Sequence, residues 1–134
     1  MNPQTPSSQQ DFNTCSWSTP DGSRSLAADV SVYGFVAGPD GAEQAYGSDV
    51  KAKNGPAVTG QQPVTGPGDR ATATFEFSGS PHIVLLDVWS SNAKIEITYT
   101  SYRYASSLSM PTRAAQLAAA IAMAREILVA LPRS

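Results

Sequence analysis

The sequence predicts an α+β fold, a two-layer sandwich in which an antiparallel β-sheet carries a long C-terminal helix on one face. Three observations predict it. Segments 27–36, 70–77, 83–89 and 94–101 carry strand patterns. The separators "SGSP" and "SSN" between the last three are short enough for hairpins, which makes them a meander. The chain then closes on an apolar-striped segment at 111–131, and about 20 helical residues span roughly 30 Å, enough to cross such a sheet.

Residues 1–12 read as a disordered tail or linker and 13–134 as a single α+β domain. "CSW" at 15–17 can form a short strand, and "STPDGSR" behind it combines a turn proline with Asp-Gly, a strong reversal signal. In "LAADVSVYGFV", Ala28, Val30, Val32 and Val36 share one face and Asp29, Ser31, Tyr33 and Phe35 the other, so this strand pairs back on the first. "AEQAYGSDVKAKN" fits a short amphipathic helix with Ala42, Ala45, Tyr46 and Val50 on one side, weakened by Gly47. The stretch "GPAVTGQQPVTGPGD" at 55–69 is loop-like, touching the sheet at Val64.

Three strand candidates then follow, two of them alternating. Ala71, Ala73, Phe75 and Phe77 share a face; Ile95, Ile97 and Tyr99 oppose Lys94, Glu96, Thr98 and Thr100; "HIVLLDVW" is apolar almost throughout. The final helix has Ser109 as a cap candidate, Pro111 in its first turn and Pro132 as a stop. Leu117, Ile121, Ala124, Leu128 and Leu131 form its stripe, and its alanines permit close approach to the sheet.

With 134 residues the chain has room for one modest core, and ten Gly and ten Pro raise its loop content. Nine Lys and Arg against eleven Asp and Glu give a net charge of −2, with the basic residues scattered, so there is no footprint for nucleic acid or an anionic membrane. No run approaches the roughly 18 apolar residues of a membrane span, and "MNPQTPSSQQ" lacks the parts of a signal peptide. That polar start suits either a cytosolic protein with a tail or a chain whose signal or anchor lies upstream of Met1.

"CSW" at 15–17, "PVTGPGDRATATF" at 63–75 and "AAQLAAAIAMAREILVALP" at 114–132 together resemble an actinobacterial family of extracytoplasmic proteins, many of them lipoproteins: domain-of-unknown-function family 3558. The similarity runs over about residues 13–132. It implies an extracytoplasmic location, secreted or in the cell envelope, with a signal sequence upstream of Met1. The family's earlier cysteine, which looks like the disulfide partner of the one before Trp, has no counterpart here, and no activity comes with the resemblance.

Cys15 and His82 are each the sole residue of their type, so they form the one conceivable thiol–imidazole pair. His82 follows Pro81 at a strand start, a solvent-facing place, and no catalytic site is expected. Zinc would want about four ligands, and the softer ones are too few. Asp40, Glu43 and Asp49 could offer calcium oxygens, but without EF-hand spacing they read as a solvated helix face. "TGPGDRA" lacks the Lys-Ser or Lys-Thr of a phosphate loop and leads into a strand, so it reads as a tight turn. No metal and no cofactor are expected.

Trp17, Tyr33, Phe35, Trp89, Tyr99, Tyr102 and Tyr104 lie in or beside strands, where large rings mostly pack a core or an edge. The second face of "HIVLLDVW" carries Ile83, Leu85 and Trp89, and the 42–53 segment is too polar and interrupted to hide all three. They are the expected interaction surface, most simply for a second copy in a homodimer, with edge-strand pairing as another contact. Cys15 has no partner in its own chain and is either a free thiol or an intermolecular disulfide. The expected role is a non-enzymatic extracytoplasmic module binding a protein or envelope component, with membrane contact only through a lost anchor. A small Cys- or carboxylate-dependent hydrolase or transferase, and a carrier of an apolar ligand, are the alternatives.

Overall fold

The computed structural model describes residues 11–20, 23–32, 41–55, 58–77, 81–90, 93–102 and 112–130, with side chains from residue 16 onward. The elements run β1 (Asp11–Ser18), β2 (Arg24–Val32), α1 (Ala42–Ala52), β3 (Gly60–Val64), β4 (Arg70–Glu76), β5 (His82–Ser90), β6 (Ala93–Ser101) and α2 (Arg113–Ala130). The six strands form one antiparallel sheet in the order β1-β2-β6-β5-β4-β3. The sheet and the C-terminal helix make the expected α+β sandwich. The expected tail at 1–12 lies outside the described residues up to residue 10, while Asp11 and Phe12 already belong to β1.

Alternation decides the faces. Val84, Leu86 and Val88 on β5 stand opposite Tyr99, Ile97 and Ile95 on β6 and Phe75, Ala73 and Ala71 on β4. With Ala28 and Val30 they form the buried core, closed from above by Ala120 and Ala124 of α2. Two expected segments are ordered more extensively. "CSW" extends to eight residues because it matches β2 from Asp11↔Val32 to Ser18↔Ser25, and the expected touch at Val64 is a five-residue edge strand. The expected positions 33–36 lie outside the described residues.

The reversal after β1 is closed by Thr19, whose N–H donates to the Arg24 carbonyl and whose Oγ1 accepts from the Arg24 N–H. In the "TGPGD" turn Gly68 has φ +64°, and a Cβ there would lie 2.6 Å from the Trp89 carbonyl oxygen. Only glycine fits both demands.

α2 is capped by Thr112, whose Oγ1 accepts from the Ala115 N–H. Ser109, Pro111, Leu131 and Pro132 lie outside the described residues. The stripe is also centred differently from expectation. Gln116, Ala120 and Ala124 are fully buried, whereas Leu117, Ile121 and Leu128 are half-buried flanks and Val129 is exposed. Small side chains at the centre let the helix backbone approach the sheet, and the larger ones splay to either side. Gln116 then spends its buried amide on the sheet, Nε2 donating to the carbonyls of His82 and Tyr99 at 3.3 and 3.4 Å. The Arg113 guanidinium lies 3.7 Å over the Phe75 ring, fastening the first turn.

α1 packs on β5 and β6 from the opposite side of the sheet, as its Tyr46–Thr72 contact shows. Ala42 and Tyr46 are its buried residues, on the face expected for them.

Ala120→Leu should therefore cost about 1–3 kcal/mol by overpacking, whereas Ile121→Ala should cost about 1–2 kcal/mol, below the range for a fully buried isoleucine. Urea denaturation measures both, and a larger loss at Ile121 would place the stripe centre there instead. At Gly47 an added Cβ meets nothing within 4 Å. Gly47→Ala should accordingly raise stability by about 0.5–1 kcal/mol, read from the same transitions.

Candidate functional site

The residues of β5 and β6 that turn away from α2 are Ile83, Leu85, Asp87 and Trp89, and Lys94, Glu96, Thr98 and Thr100. Register sets three acids in one row across adjacent strands, Asp29 opposite Glu96 and Glu96 opposite Asp87. α1 covers part of this row. Its last turn brings Asp49 beside the strand carboxylates, so that oxygens of Asp49, Asp87 and Glu96 all lie within 4.8 Å of one another.

Two lysines meet these three acids. Lys53, the residue that ends α1, is 3.2 Å from each carboxylate oxygen of Asp87 and 2.6 Å from Glu96 Oε2. Lys94 of β6 pairs with Asp49 Oδ2. Lys53 Nζ also donates to the Asp49 carbonyl at 3.4 Å, where a cation suits the negative end of the helix. Polar ties complete the docking. The Tyr46 hydroxyl is 2.6 Å from Thr72 Oγ1, and Gln61 Nε2 donates to the Val50 carbonyl and to Thr74 Oγ1.

Asp87 has no exposed surface. Burial pushes its pKa up to about 6, because it outweighs the pull of Lys53, and the neighbouring charges of Glu96 and Asp49 push the same way. For Lys53 burial acts downward, but the hydrogen bond to Glu96 and the charges of Asp87 and Glu96 prevail and hold its ammonium above the usual range. The three carboxylates could in principle present oxygens to a cation. In this arrangement Lys53 bridges Asp87 and Glu96 and Lys94 pairs with Asp49, so each carboxylate already faces an ammonium group.

One sequence expectation changes here. Asp49 is not on a solvated face but half-buried and paired, while Glu43 is exposed and Asp40 lies outside the described residues. The 42–53 segment, expected to be too polar and interrupted to hide all three of Ile83, Leu85 and Trp89, docks on their face through polar groups. Ile83, Leu85 and Trp89 are each half-buried beside it. The sequence held one signal for the cluster, a single acid inside the apolar run "HIVLLDVW".

Cys15 and His82 are not brought together. Cys15 aligns with Ala28, Ile97 and Leu86, while His82 aligns with Ser101 and Arg24. Three strand spacings separate them across the sheet, about 14 Å, and four residues separate them along it. His82 is half-buried rather than solvent-facing, its ring stacked on Phe77 at 4.4 Å. The "TGPGD" turn borders an open pocket of about 360 Å³ that also includes Tyr46, Arg70 and Thr72.

Compared with known proteins, the chain matches no family model and no curated protein sequence.

Lys53→Met should cost about 3 kcal/mol at pH 8, because it leaves Asp87 buried beside two other acids with no direct cation. The loss should narrow below about pH 6, where Asp87 can take a proton instead. Thermal melts of wild type and variant across this pH range measure it.

Proposed function

We propose that this chain is a non-enzymatic binding module of the cell envelope, secreted or lipid-anchored, that holds a protein or envelope component along the β1 edge of its sheet. The resemblance to domain-of-unknown-function family 3558 supports the extracytoplasmic location. The observation that carries the surface is Trp17. It is 55% exposed on the edge strand, one of two large apolar side chains so exposed among the described residues.

The two sheet edges differ. β3 is five residues long and contains Pro63, which blocks strand addition by removing a donor. β1 has eight residues without proline, and among the described residues it pairs only with β2. An open edge offers backbone donors and acceptors to an extended partner segment, and an indole beside it supplies apolar area of the kind that anchors interfaces. A second copy of this chain fits the same description, with Cys15 midway along the strand. Ile83, Leu85 and Trp89 have given up part of their surface to the fold and rank behind this edge.

A photo-crosslinking phenylalanine in place of Trp17, compared with one in place of the still more exposed Val129, tests the surface in cells. Discrete adducts are expected at 17 and not at 129, to a partner or to another copy of the chain. Equal yields at both positions would remove β1 as the binding edge.

A further inference from the structure

We propose that α1 is a strap that closes more tightly on the sheet when the carboxylate cluster of Asp49, Asp87 and Glu96 takes up a proton, so that mild acid holds it shut and higher pH loosens it. α1 buries only Ala42 and Tyr46 within its own length. The rest of its hold is polar and is concentrated at its C-terminal end, in Lys53 on Asp87 and Glu96, Asp49 on Lys94, and the Val50 carbonyl on Gln61.

Docking brings three carboxylates within 4.8 Å against two ammonium groups. One negative charge is in excess, around an Asp87 with no exposed surface. Every element packed against Asp87 contributes to that balance. α1 presents Asp49 and Lys53, and β6 presents Glu96 and Lys94. β2 adds Asp29 beyond Glu96, while β4 places Thr72 opposite Asp87 and Arg70 one step further along. A proton cancels the excess without moving any of them. Lys53 is not stranded by it, because it remains 2.6 Å from Glu96.

The direction follows from linkage. With α1 lifted, Asp87 meets water and titrates in the ordinary carboxylate range; with α1 docked, its pKa is about 6. The docked state binds the proton more tightly. Acid therefore favours docking, in full below the ordinary pKa, and this gain is lost as pH rises through about 6. A simple salt bridge would behave oppositely, since its carboxylate would be held below the usual range and acid would break it.

Hydrogen exchange of the 42–52 amides in the full chain, read by mass spectrometry and corrected for intrinsic rates, tests the strap. Between about pH 7.5 and about pH 5 protection of α1 should rise about tenfold while staying below that of β5. Asp87→Asn, neutral at every pH, should abolish the pH dependence. Should that variant fail to fold, Glu96→Gln is expected to move the midpoint to lower pH by removing one like charge. Protection of α1 that is flat or falls in acid overturns the proposal. So does exchange of α1 in step with β5, or a tenfold rise that persists in Asp87→Asn.

Discussion

The pairing of β5 with β6 is the constraint on which the remaining structure depends. Nine residues of each strand match without a bulge from His82↔Ser101 to Ser90↔Ala93, and both helices rest on this pair from opposite sides. Because successive side chains point to opposite faces, a one-residue slip of β6 along β5 would turn one strand over while the other kept its face. Ile95 and Ile97 would face the charged helix and Glu96 the alanine stripe of α2, while Val84, Leu86 and Asp87 stayed as they are. Neither helix would then find its partner surface intact, so the register is specified from both sides at once.

The two helices hold on by different physics. α2 meets an apolar surface with Ala120 and Ala124 at its centre, an attachment that is broad, non-directional and insensitive to pH. α1 is held by a few directed contacts that include a buried ion pair. The burial cost of Asp87 is large enough that Lys53 only partly offsets it, which is why the carboxyl stays above its usual range. Such an arrangement contributes little net stability and makes the position of α1 conditional on protonation. It places α1 among the elements that open most readily, beside a sheet that does not.

Buried polar contacts recur at the element junctions. Gln116 fastens α2 to two sheet carbonyls, Thr19 closes the first hairpin, and Tyr46 meets Thr72. Each satisfies groups that burial would otherwise leave unpaired, and each fixes where one element stops relative to the next. The β1 edge is different, for among the described residues that strand pairs on one side only and carries an exposed indole.

Apart from β3 and the start of β1, the strands, the meander and the apolar face of the sheet were legible in the sequence, because alternation along "RATATFEF" and "AKIEITYT" is a local property of the chain. The short helix was legible too, down to Ala42 and Tyr46 as its inner residues. What the helix rests on was not. Asp87 looked like one polar position in an apolar strand and Asp49 like part of a solvated helix face, since only chain reversal brings residues some forty positions apart within hydrogen-bonding range. For the same reason the centre of α2 fell on Gln116, Ala120 and Ala124 rather than on the bulkier residues one step along. Periodicity reports which side of a helix is apolar, whereas the closeness of the sheet puts Ala120 and Ala124 in the middle, and two sheet carbonyls hold the Gln116 amide beside them.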